Sequence, residues 1–82
     1  MSIKLDEETI KKILMDEDQD FNKLITDHQH CELQLKLLDE KKYLTDEEKI
    51  KQVQIKKVKL GIKDKIYQRI RLYKQEQQNQ SN

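Results

Sequence analysis

No proline occurs in this sequence and glycine occurs once, at Gly61. Tight turns are usually built with Gly, Pro and Asn, and the only asparagines are Asn22, Asn79 and Asn82. A chain so short of turn-formers cannot reverse direction often enough to make a sheet. Its abundant Lys, Glu, Gln, Leu and Ile favour long helices or coiled coils. The expected class is therefore all-α.

Eighty-two residues allow one small domain. A chain of this size buries only about 60% of its unfolded surface, so self-association is a common remedy for a thin core. Cys31 is the only cysteine and cannot form an internal disulfide. A lone cysteine suits a reducing, cytoplasmic setting. No apolar run approaches the roughly 20 residues of a membrane span, and the N-terminus lacks the apolar stretch of a signal peptide. No membrane role is expected.

Charge is unevenly placed. Residues 1–40 carry 5 Lys against 11 Asp or Glu, a net −6, whereas residues 41–74 carry 12 Lys or Arg against 4 acids, a net +8. Two halves of opposite sign suit an antiparallel pairing in which each neutralises the other. Single exposed ion pairs contribute little, about 0–1 kcal/mol, but the pattern favours one orientation.

Three segments emerge. The first, over about residues 6–15, has Asp6 as a cap, acids in its first turn, and Ile10, Ile13 and Leu14 on one face. The acidic stretch 16–20 then reads either as a break or as the start of the next helix. In the second segment Phe21, Leu24, His28, Cys31, Leu35 and Leu38 alternate at spacings of three and four, the a/d seam of a coiled coil. On a straight helix these six fall within an arc of roughly 100°. Ile25 broadens that face; Leu33 and Leu37 lie well away from it. Thr45-Asp46-Glu47-Glu48 matches a capping box, with Leu44 placed as a hydrophobic staple.

In the third segment Ile55, Val58, Ile62, Ile66, Ile70 and Tyr73 form one apolar stripe. Val53, Leu60 and Tyr67 form a second, about 140° around the helix. One hairpin partner needs one stripe, so the second implies a further contact, either the N-terminal helix or another copy of the chain. Gly61 within this helix is either simply tolerated or marks close approach of a neighbour. The boundaries expected are a short N-terminal helix and acidic link over 1–17, a helical hairpin over 18–74 with helices at about 18–40 and 46–74, and a disordered polar tail over 75–82.

Candidate chemistry is sparse. His28, Cys31 and Glu32, with His30 nearby, share a helical flank, but structural zinc needs four ligands and the chain holds no second Cys or His pair. His28 and Cys31 also occupy seam positions, which packing explains. No metal site, catalytic residue or cofactor is expected, because Cys31 lacks an oriented base and the chain has no Gly-rich phosphate loop. The basic third segment, with Lys56, Lys57, Lys63, Arg69 and their neighbours, could engage phosphates electrostatically, which makes nucleic-acid binding the rival reading. The leading reading is a non-enzymatic interaction module that packs against itself, as a dimer or small bundle, or against a protein partner. Its interaction residues are expected among Val53, Leu60, Tyr67, Lys56, Lys57, Lys63 and Arg69.

Phe21-x-x-Leu24-x-x-x-His28, then Cys31-Glu32-x-x-Leu35, then Ile55-Lys56-Lys57-x-Lys59-Leu60-x-Ile62-Lys63-Asp64-x-Ile66 resembles the YdcH-like family of small bacterial proteins, across residues 20–66. Cys31-Glu32 stand where that family usually has Leu-Asp, and Ile55 and Ile62 where it has Leu. These exchanges keep the seam and charge character. The resemblance implies a short helical or coiled-coil module with no established biochemical activity. It also draws notice to His28, Lys56, Lys57, Lys63 and Asp64.

Overall fold

The computed structural model describes residues 6–80, which form three helices: α1 (Glu7–Glu17), α2 (Gln19–Asp39) and α3 (Asp46–Gln80). The fold is all-α, an antiparallel hairpin of α2 and α3 with α1 laid back over it.

Side chains set each boundary. Asp6 opens α1 by accepting from the Thr9 amide at 2.8 Å. Asp18 then closes α1 and opens α2 in a single extended residue, with φ −126° and ψ 107°. Its amide donates to the Leu14 carbonyl at 2.8 Å, while its carboxylate accepts from the amides of Asp20 and Phe21 at 3.0 and 3.2 Å. The Asn22 side chain donates to the Met15 carbonyl at 3.1 Å, satisfying another unpaired group at the end of α1. The acidic stretch is thus both of the things its sequence allows, a break and a start. At α3 the capping box closes reciprocally. The Glu48 amide donates to Thr45 Oγ1 at 3.1 Å, and the Thr45 amide donates to Glu48 Oε1 at 3.0 Å.

Antiparallel pairing shows in the cross-helix contacts. Asp18 meets Arg69, Glu32 meets Lys59 at 3.8 Å, Asp39 accepts from Gln52 at 3.2 Å, and Lys41 meets Glu48 across the turn. As one residue number rises the other falls, and the acidic helix lies along the basic one. The molecule measures 57 × 19 × 17 Å, with a radius of gyration of 16.8 Å against about 12 Å for a compact chain of this length. This rod follows from α3, whose 35 residues span about 52 Å.

The core sits at the end away from the turn. Ile10 and Leu14 of α1 pack with Phe21 and Ile25 of α2 and Ile66 and Ile70 of α3, and Met15, Leu24, Ile62 and Tyr73 close the edges. Phe21 and Ile10 are wholly buried. Ile25 is more buried than the seam residue Leu24 because α1 covers its side of the helix. Towards the turn, the buried residues are Cys31 and Ile55, with Leu35, Leu38 and Leu44 half-buried.

Two expectations need correction. Val58 does not join its stripe; it is 56% exposed. Lys59 takes the inward position instead, half-buried along its aliphatic stem with its ammonium reaching Glu32. Nor is the segment from 75 onward disordered as far as it is described, for α3 continues to Gln80. Its Gln and Glu residues are good helix formers, and nothing in it breaks a helix already running. Residues 81–82 of that expected tail, and residues 1–5 of the N-terminal segment, lie outside the described residues.

Candidate interaction surface

The perturbed carboxylates of the described residues sit at helix termini. Phe21's amide and the Arg69 guanidinium hold Asp18 below the ordinary carboxylate range, and the Thr9 amide does the same for Asp6. Lys41 and the Thr45 amide pull Glu48 down to about 2. All three are capping groups, so their perturbation is explained by helix termini and ion pairs rather than by a reaction centre. His28 is half-buried in the seam with Nδ1 3.0 Å from Glu32 Oε1, and Cys31 is buried. Among the described residues no group of three or more His, Cys, Asp and Glu side chains gathers as a ligand set. No described helix is long and apolar enough to cross a membrane.

Much of the exposed surface of the turn half is apolar. Along the turn half, Leu33 and Leu37 of α2 and Ile50, Val53, Val58 and Leu60 of α3 are all exposed, Leu60 by 61% and Val53 by 52%. Single exposed apolar residues are ordinary; here six stand on one slender two-helix segment. The second stripe of α3 divides here. Its distal member Tyr67, 45% exposed, borders a depression with Glu7 of α1 and receives the Lys63 ammonium 5.9 Å from its ring centroid. Val53 and Leu60 lie beyond the reach of α1.

The basic residues divide as well. Arg69 turns inward to Asp18 and ties α3 to the α1–α2 corner. Lys56, Lys57 and Lys63 are exposed and form no ion pair among the described residues. Leu35, Lys56, Lys59, Leu60 and Lys63 line one open groove between α2 and α3, a grouping in which Leu60 and the lysines meet a residue of the other helix. Ile50, three residues before Val53, extends the second stripe towards the turn and is missing from the expected interaction residues. Leu33 and Leu37, off the seam and four residues apart, form an exposed apolar pair on α2 that the expected interaction residues do not include. Nothing within 4 Å would meet a Cβ added at Gly61, so no neighbour among the described residues requires the glycine.

The geometry defines a class, a small helical hairpin with an uncovered apolar and basic half. Comparison with protein-family models, curated proteins and solved structures finds no match to this chain.

Proposed function

We propose that this chain is a non-enzymatic interaction module, working by helix–helix packing with further copies of itself or with a protein partner. The observation that carries the reading is the exposed set Leu33, Leu37, Ile50, Val53 and Leu60 on the two-helix half. A cytoplasmic setting, consistent with the free thiol of Cys31, and kinship with the YdcH-like family through the motif residues of α2 and α3 belong to the same proposal.

The first test is molar mass by light scattering over about a hundredfold range of concentration, since mass action shifts a self-associating chain across such a range. A dimer or small bundle that Val53→Ser and Leu60→Ser return to monomer, with helix content kept, supports the self-association form. A chain that stays monomeric and binds no helical partner sinks the reading.

The exposed lysines of α3 favour a second reading, non-specific nucleic-acid binding through Lys56, Lys57 and Lys63; the engagement of Arg69 with Asp18 weakens it. Mobility shifts that collapse as salt rises, and vanish on Lys56→Glu and Lys57→Glu, would favour that rival. Absence of any retardation at low salt would remove it.

A further inference from the structure

The hairpin has a long groove between α2 and α3, and α1 fills only part of it. Ile10 and Leu14 seat against Ile25, Ile66 and Ile70, and the first turn of α1 ends this coverage where Glu7, Glu8, His28, Glu32 and Lys63 border one depression. Lys63 also borders the next depression along, lined by Leu35, Lys56, Lys59 and Leu60. The groove therefore continues towards the turn, lined by Leu35 and Leu60, and no helix among the described residues lies in it. From Lys63 to Lys56 this depression follows α3 for about 10 Å, or two helical turns.

Charge states what would fill it. Between Lys49 and Lys63, α3 carries six lysines and no acid. Among the described residues Lys59 is the one lysine on the groove with an ion-pair partner, Glu32, while Lys63 lies over the Tyr67 ring. Lys56 and Lys63 stand four before and three after Leu60, flanking it on the same helical face. An occupant must bring apolar residues for Leu35 and Leu60 and carboxylates for the lysines. The molecule already holds a helix of this kind in the same groove, for α1 begins Asp6-Glu7-Glu8 and presents Ile10 and Leu14 to the floor.

We infer that the turn half of this groove is a docking site for an acidic amphipathic helix of a protein partner, lying in line with α1. The inference rests on the interaction-module reading and names its site and partner class. A second copy fits less well. Its α3 would set lysine against lysine, and its exposed leucines Leu33 and Leu37 stand beside His30 and Lys36. A nucleic acid would find Leu35 and Leu60 on the floor and no aromatic side chain among the lining residues for base stacking.

The test uses the full chain and a labelled synthetic helix of about four turns with Leu at a and d and Glu at e and g. A control peptide carries Lys in place of each Glu. Fluorescence anisotropy should show saturable binding of the Glu peptide only. It should weaken about tenfold or more for Lys56→Glu with Lys63→Glu, and likewise for Leu60→Gln, helix content being unchanged. Amide shift perturbations should cluster around Leu35, Lys56 and Leu60. Equal binding of both peptides, no binding of either, or indifference to the substitutions would overturn the site. So would an oligonucleotide that perturbs the same amides in place of the peptide. Light scattering separates the two levels. A chain that self-associates yet ignores the peptide loses this inference and keeps the module, whereas a chain that does neither loses both.

Discussion

At the end away from the turn, three helices enclose Phe21, Ile10, Leu14, Ile25, Ile66 and Ile70. At the turn end the same hairpin is two helices thick and buries only Cys31 and Ile55, while Leu33, Leu37, Ile50, Val53, Val58 and Leu60 face outward. Both ends are built from seam residues at helical spacing, so periodicity does not separate them. The difference is α1. Two packed helices can bury one stripe each, and a third helix is required to bury the flanks. Where α1 lies, Ile25 and Ile70 become core; where it does not, Leu60 and Val53 stay open. One end of the molecule is thus committed to stability and the other is left with surface to spend on contacts.

Substitutions should reveal the two ends as energetically unequal. Phe21→Ala, at the centre of the three-helix end, should cost about 3–5 kcal/mol, and Ile70→Ala about 2–5 kcal/mol. Such losses are a large share of the stability of any small domain, so the expected result by denaturant titration is a chain near or past its unfolding midpoint. Val53→Ser and Leu33→Ser at the other end should change the stability of the monomer by no more than about 0.5 kcal/mol. Equal costs at both ends would show that the turn end is covered in solution and would break the comparison.

Gly61→Ala sharpens it from the opposite direction. The site is a helix interior with open space around the new methyl, so the change should stabilise by about 0.5–1 kcal/mol, seen as a raised denaturation midpoint. A loss of stability would mean that another molecule packs closely against that backbone.

Acid should act on both ends through their capping carboxylates. Asp18 at the three-helix corner and Glu48 at the turn have folded-state pKa values depressed below their unfolded ones. Their contribution is therefore complete above about pH 4.5, the ordinary carboxyl range, and drains away as pH falls below it, for Glu48 towards about 2. Thermal melts followed by circular dichroism should fall in midpoint across that window. Glu48→Gln should flatten the fall at the turn, and Asp18→Asn should flatten it at the corner. An unchanged slope in both variants would remove these caps as the source.

The smallest effect expected is on the Lys59–Glu32 pair, 3.8 Å apart and exposed at its acidic partner. Glu32→Gln should shift stability by well under about 1 kcal/mol. A larger loss would give the turn half a stabilising contact beyond the pairing of Glu32 with Lys59 and His28.

Much of this was legible in residue order. Absence of breakers dictates helices, and Thr45 with Glu48 places the start of α3 because a capping box is a local contract between neighbouring residues. Phe21 through Leu38 marks the inward face of α2 because helical spacing is also local. The single-residue corner at Asp18 was half visible, for an aspartate can end or begin a helix and only the structure shows one doing both. Val58 was misplaced because Val is apolar and Lys is charged, yet the inward turn of α3 goes to Lys59, whose stem packs while its ammonium finds Glu32. The polar run from residue 75 predicts disorder, yet α3 continues to Gln80, because polarity sets whether a helix is buried rather than whether it continues.

The division of the interaction residues shows the same boundary. Local sequence determined that α3 carries two apolar stripes and a run of lysines, since both are matters of spacing along one helix. Only the tertiary structure decided which of them are spent. It turned Arg69 inward to Asp18, set Tyr67 beside α1, and left Leu60, Lys56 and Lys63 together on an open groove with Leu35. The physical reason is that covering a stripe takes a second helix at a particular height and side, and that height follows from where α1 folds back at Asp18, a relation between residues as much as 51 positions apart.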